Sequence, residues 1–101
     1  MTGEGTLHAA TVLRISREFA RSGDYEFITM NRAWKTATGR ESHLATRPDI
    51  IGVRRDGRVD AFEIRSPSQD PDVLLMRLES EMQSLDPEIQ GVFDVFELDP
   101  E

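Results

Sequence analysis

Residues 47–70 read RPDIIGVRRDGRVDAFEIRSPSQD, and this stretch decides the fold. Two short apolar runs, 49–54 and 59–65, are separated by Arg-Asp-Gly-Arg at 55–58. Asp-Gly between two such runs is typical of a tight turn that joins antiparallel strands. The segment therefore predicts a β-hairpin.

One helix and one strand are predicted before the hairpin. Apolar residues recur at helical spacing over 7–21, which indicates an amphipathic helix. Ser-Gly-Asp at 22–24 ends it, because glycine readily adopts the left-handed conformation found at helix ends. Residues 25–34 are rich in β-branched and aromatic side chains and predict a strand, whereas 36–47 is polar and typical of turns.

A second helix and a last strand are predicted after the hairpin. Asp70 can cap a helix that has Pro71 in its first position, where a missing N–H costs nothing. Apolar residues at near-helical spacing continue it until Asp86-Pro87. Residues 92–98 then read as a strand. The predicted order is α-β-β-β-α-β, an α/β fold whose central mixed sheet is flanked by helices.

Length and composition indicate one domain over residues 1–101, with loose ends at 1–6 and 99–101. The chain has no cysteine, which excludes a disulfide framework and a thiolate zinc site. It has no run of eighteen apolar residues, and its first residues lack the pattern of a signal peptide. We therefore expect a soluble chain that does not bind a membrane.

The net charge of −7 argues at first against nucleic-acid binding, because an acidic surface repels phosphates. The charge is unevenly distributed, however. Residues 1–65 contain 11 basic and 9 acidic side chains, whereas residues 66–101 contain 1 and 10. The segment 27–58 is the plausible phosphate-facing surface, unless its arginines merely solvate loops and strand edges. The candidates for contacts to nucleic acid are Arg32, Lys35 and Arg47.

Three charged residues of the hairpin could carry chemistry. Asp49 begins the first strand, while Glu63 and Arg65 are two residues apart on the second and so share a face of the sheet. Two converging carboxylates suit a hard cation such as Mg²⁺, which can activate a water and neutralise a phosphate. The alternative is that Asp49 caps a strand and that the other two form cross-strand pairs on a solvated face.

The stretch 47–70, with the order of elements around it, resembles the PD-(D/E)xK (restriction endonuclease-like) nuclease domains of bacterial polymorphic toxins, including contact-dependent inhibition and Rhs-type proteins. Pro48-Asp49 is similar to the PD of the family, and Glu63 to its second acid. Arg65 stands at the position of the lysine. Gln69 resembles the glutamine that often follows the motif in resolvase-like members.

The resemblance implies a metal-dependent endonuclease that hydrolyses DNA or RNA phosphodiesters and acts as a toxin or effector. Asp49 and Glu63 would hold Mg²⁺ or Mn²⁺, and Gln69 would position water or backbone. It also implies a nucleic-acid substrate such as DNA or tRNA and a cognate immunity protein. The place of action would be the target-cell cytoplasm after delivery, or the producing cell's own cytoplasm. Glu18 could match the upstream acid of the family; otherwise it is a solvated partner of arginines at helical spacing.

Arg65 departs from the family, since a guanidinium with a pKa above about 12 stabilises charge but does not serve as a general base. Lys35, the only lysine, is a candidate to approach the site from a neighbouring strand end. The alternative function is a catalytically inactive module of the same fold that binds nucleic acid or a protein. His8 and His43 are expected to be ordinary polar residues. Trp34 either stacks on a base or is buried in the core.

Overall fold

Four strands form one mixed sheet at the centre of the fold. The computed structural model describes residues 3–100. The strands are β1 (Tyr25–Met30), β2 (Ile50–Arg54), β3 (Val59–Arg65) and β4 (Gln90–Glu97). They lie in the order β1-β2-β3-β4; β1 pairs with β2 and β2 with β3 in antiparallel fashion, and β4 is parallel to β3. The parallel pair requires a crossover connection, which a helix supplies.

Three helices accompany the sheet. They are α1 (Glu4–Ser22), α2 (Trp34–Thr38) and α3 (Pro71–Gln83), and a 3₁₀ turn, Pro87–Ile89, precedes β4. Gly23 ends α1 with a φ of 79°, and the Asp70 side chain accepts a hydrogen bond from the backbone N of Asp72 at the start of α3. The predicted succession of helix, three strands, helix and strand is confirmed, with α2 added. Within residues 3–100, no helix has both the length and the apolarity needed to cross a bilayer.

The predicted hairpin is confirmed, and its turn sets the register of β2 and β3. The backbone N of Gly57 donates to the carbonyl of Arg54 at 2.9 Å, and Gly57 has a φ of 92°. Glycine adopts this left-handed conformation without strain. Ile50 pairs with Phe62 as a result. The register decides which side chains of the two strands face each other.

The prediction of a continuous strand over 25–34 is wrong. β1 ends at Met30 because Asn31 adopts a left-handed conformation with a φ of 53°. A short helix follows, in which Trp34 and Ala37 are both buried. Residues three apart share one face of a helix, so this turn lets both side chains enter the core. The first residues of the segment 36–47, predicted to be polar and turn-like, therefore belong to α2.

The sheet carries one apolar core on each face. On one face the buried residues pack against α1; they are Val12, Ile15, Ile50, Phe62 and Ile64. On the other face they pack among α2, α3 and the 3₁₀ turn; they are Trp34, Ala37, Ile51, Val59, Ala61, Leu78, Met82 and Ile89. Successive residues of a strand point to opposite faces, so Glu63 follows Val59 and Ala61 onto the face of α3.

The terminal segments are more ordered than predicted. Glu4–Thr6 belong to α1. Asp99 accepts two hydrogen bonds from Arg14, each 2.7 Å long, and its backbone N donates to the Thr11 hydroxyl at 3.1 Å. These bonds tie the chain after β4 to the side of α1. Residues 1, 2 and 101, also predicted to be loose, lie outside the described residues.

Candidate functional site

Two carboxylates meet at the end of the sheet where β2 begins and β3 ends. Ile50 pairs with Phe62, so Asp49 stands opposite Glu63 at the next position of the ladder. Side chains opposite each other in an antiparallel pair project to the same face. Only 7% of Glu63 is exposed, and its carboxyl interacts with that of Asp49. The structure therefore brings together the two acids that the sequence singled out.

His8 reaches the same point from the first turns of α1. Its Nε2 lies 3.2 Å from Oδ2 of Asp49 and 3.0 Å from the carbonyl oxygen of Ile64. The same Asp49 oxygen accepts a hydrogen bond from the backbone N of Ile64 at 2.8 Å. Because both neighbours of Nε2 are acceptors, this nitrogen carries the hydrogen. His8, expected to be an ordinary polar residue, is thus hydrogen-bonded to one of the two predicted acids.

The pKa of Glu63 is raised from an ordinary value of 4.5 to about 8. Burial is the largest cause, and the hydrogen bond and charge of Asp49 add to it, while Arg77 opposes both. Two carboxylates that share a poorly hydrated position ionise together only at a cost, unless a cation joins them. The site is short of positive charge when both acids are ionised.

The stability of the metal-free protein should therefore depend on pH through Glu63. A carboxyl whose pKa is higher in the folded than in the unfolded protein stabilises the fold fully below about pH 4.5, and this stability is lost as the pH rises through about 8. We expect the melting temperature in EDTA, followed by circular dichroism, to fall by about 5 °C or more across this interval. Glu63→Gln should remove most of that fall; an equal fall in the variant would contradict the assignment.

Arg77 on α3 orients Glu63 and connects it with the core. Its Nη2 donates to Oε1 of Glu63 at 2.6 Å, and its Nε lies 3.5 Å from Oε1 of Glu81. The other oxygen of Glu81, which is buried, accepts hydrogen bonds from the Thr46 hydroxyl at 2.8 Å and the Trp34 indole at 3.3 Å. Trp34 is 0% exposed, so it is a core residue and not a base-stacking one.

Arg65 lies two residues beyond Glu63 on β3, and both Arg65 and Gln69 bond to groups other than the two carboxylates. Arg65 Nε donates to both oxygens of Glu97 at 3.0 Å, and its Nη1 donates to the Gln69 carbonyl at 2.9 Å. The Gln69 side chain accepts a hydrogen bond from the backbone N of Ser66 at 2.9 Å and so closes the turn after β3. Among the described residues, Arg65 is thus anchored on the Glu63 face of the sheet by β4 and by this turn.

Glu18 and Lys35 are not brought to the two acids. Glu18 is exposed and accepts a hydrogen bond from Arg14 at 2.9 Å, and ten residues of helix, about 15 Å, separate it from His8. Lys35 is exposed in α2 and lies 3.1 Å from Glu41. The predicted ligand role of Glu18 is corrected by this distance, since the α1 residue at the site is His8.

Arg32 and Arg47 flank the site. The backbone N of Asn31 donates to the carbonyl of Asp49 at 3.0 Å, which joins the end of β1 to the start of β2. Arg32 follows Asn31 directly, and Arg47 precedes Asp49 by two residues; both are exposed. Both arginines are therefore close to the site along the chain and accessible to an anionic ligand.

The donor set fits a small, hard divalent cation. The oxygens at this point are those of the Asp49 and Glu63 carboxylates. Within residues 3–100, no three or more His, Asp or Glu side chains form a ready-made metal cluster. Mg²⁺ requires only one or two protein carboxylates, because waters and a substrate phosphate complete its octahedron. The site therefore suits an ion that is shared with a substrate.

No family model, curated protein or solved structure matches this chain.

Proposed function

We propose that this chain is a metal-dependent endonuclease that hydrolyses nucleic-acid phosphodiesters and serves as a toxin or effector domain. The observation that carries the proposal is the pair of carboxylates, Asp49 and Glu63, held side by side with the raised pKa of Glu63. Placing two acids together in a partly buried position is unfavourable by itself, and a divalent cation relieves it. The order of elements and the mixed sheet agree with the PD-(D/E)xK likeness of residues 47–70.

Each residue of the site would have a separate role. Asp49 and Glu63 would hold Mg²⁺ or Mn²⁺. The bound ion would supply an activated water and neutralise charge on the attacked phosphate. Arg77 fixes the Glu63 carboxylate by its 2.6 Å hydrogen bond, and His8 fixes the Asp49 carboxylate by its contact with Oδ2.

The arginines would hold the substrate. Arg65, anchored by Glu97, presents the rest of its guanidinium on the Glu63 face, where it would bind a phosphate oxygen. Arg32 and Arg47 would contact the phosphates on either side.

The biological setting is proposed from the resemblance alone. A toxin domain of this kind would be delivered into a target cell and act on DNA or tRNA in its cytoplasm. The cell that produces it would be protected by a cognate immunity protein. A chain that acts in its own cytoplasm is the alternative setting.

Arg65 favours a second candidate function, a catalytically inactive module that binds nucleic acid or a protein through the same face. The family has lysine at this position, and Arg65 is engaged with Glu97 and with the carbonyl of Gln69. A guanidinium in these bonds can bind an anion but does not take a proton from water. This module would bind nucleic acid without cutting it.

Cleavage assays separate the two candidates. We expect purified protein to cut plasmid DNA or total tRNA in Mg²⁺ or Mn²⁺, and we expect EDTA to stop the reaction. Induced expression in bacteria should arrest growth for the same reason. Nucleic acid that is retarded in a gel but stays intact with both ions would favour the inactive module. Substrates left neither bound nor cut would contradict both.

A further inference from the structure

A cavity opens beside Asp49, on the side of the sheet that α1 covers. Its volume is about 330 Å³, within the range of small-molecule sites. It lies between the first turns of α1 and the junction of β1 with β2. The residues that line it are His8, Ala9, Val12, Met30, Asn31 and Asp49.

The walls of this cavity suit a flat aromatic ring. Ala9 and Val12 form one side from α1, and Met30 forms the other from the end of β1. Met30 is 43% exposed, so a large apolar side chain is left without full cover beside an acidic site. Apolar side chains of this kind hold an unstacked nucleobase by its two faces.

Asn31 supplies a polar group at the edge of the cavity. It has a φ of 53°, and its backbone N–H is fixed by the carbonyl of Asp49 at 3.0 Å. Such a conformation strains most residues other than glycine, although asparagine tolerates it better than most. Asn31 is exposed and lines the cavity, so the donor and the acceptor of its side-chain amide are accessible to a ligand.

We propose that this cavity receives one unpaired nucleobase of the substrate, next to the phosphodiester that is cut, and that Asn31 reads the edge of that base. The inference rests on the proposed function and adds the class of substrate. A base inside an intact duplex is stacked on both faces and paired along its edge, so it does not enter unless it is flipped out. The preferred substrate is therefore single-stranded nucleic acid, or a loop or end of a folded one.

A matched pair of helix variants tests the cavity. Ala9 and Ala10 are both exposed residues of α1, but Ala9 lines this cavity and Ala10 lines another surface near Arg14. We expect wild-type protein in Mn²⁺ to cut a labelled single strand at least about tenfold faster than the same sequence in a duplex. Ala9→Trp fills the cavity, so its cleavage rate on the single strand should be lower by about tenfold or more, which is the effect of one lost stacking contact. Ala10→Trp should cut the single strand as fast as the wild type.

Asn31→Gly tests the reading of the base. Glycine keeps the left-handed backbone and removes only the amide, so the fold is preserved. With four single strands that differ only at the nucleotide beside the cut, the wild type should prefer one base by about tenfold, and the variant should lose most of this preference.

The outcomes separate the two proposals. If wild type cuts nucleic acid but Ala9→Trp behaves as Ala10→Trp, or Asn31→Gly keeps the base preference, the nucleobase site is overturned and the nuclease stands. A wild type that prefers duplex would also overturn the site alone. If wild type cuts no nucleic acid, both proposals fall. Circular dichroism of each variant confirms that its fold is retained.

Discussion

Glu63→Gln is expected to lower the affinity for Mn²⁺ and the rate of nucleic-acid cleavage by at least about 100-fold each. Loss of a group that only supports a metal ligand costs about 10–100-fold, and loss of a ligand should cost no less. Glutamine has the size of glutamate and keeps an oxygen that can accept the hydrogen bond from Arg77. The fold should therefore survive, and what disappears is the negative charge that the cation requires.

Glu79→Gln is the matched control for this change. It alters the same charge on α3, but Glu79 is exposed, and its hydrogen bond is to Gln83. Isothermal titration with Mn²⁺ in the absence of substrate gives the affinity, and cleavage of a labelled strand gives the rate. Unchanged Mn²⁺ binding in Glu63→Gln would remove Glu63 from the metal site. Equal losses in both variants would show that only the net charge matters.

The pairing of Asp49 with Glu63 could be predicted because it is a local consequence of the hairpin. Asp-Gly at 56–57 sets the turn, the turn sets the register, and the register places the two residues opposite each other. Few residues separate the two strands, so no packing of distant elements is involved. The same holds for the start of α3, where Asp70 and Pro71 act within one turn of helix.

His8 could not be found in this way, because its contact with Asp49 spans 41 residues. It depends on how α1 is packed across the sheet, and the periodicity of a helix does not give its position along the sheet. Glu18 is the α1 residue that the family resemblance suggests as an upstream acid, with a solvated partner of arginines as the alternative. The geometry of the fold, and not the residue type, distinguishes the two.

Arg77 did leave a signal in the sequence. It is the only basic residue between 66 and 101, among ten acidic ones. A single cation in such a segment is expected to meet a buried carboxylate, because an unpaired buried charge is costly. The end of β1 left a weaker signal, since Asn31 is one of the few residue types that tolerate a positive φ. Neither signal identifies the partner without the fold.

The affinity for Mn²⁺ is expected to rise about tenfold per pH unit up to about pH 8 and then to level off. Cation binding requires an ionised Glu63, and the pKa of this group in the metal-free protein is about 8, so below that pH each bound ion must displace a proton. Titration in two buffers with different heats of ionisation should show the release of about one proton per ion at pH 6 to 7. An affinity that stays constant between pH 6 and 8 would contradict the raised pKa.

Arg77→Gln tests the electrostatic origin of this profile. Burial and Asp49 raise the pKa of Glu63, whereas Arg77 lowers it, so removing the guanidinium should move the plateau of Mn²⁺ affinity to higher pH. Arg77→Lys, which retains the positive charge, should move the plateau less than Arg77→Gln does. A plateau that stays at the same pH in Arg77→Gln would mean that the charge of Arg77 does not act on Glu63, and the balance of charges proposed for the site would be wrong.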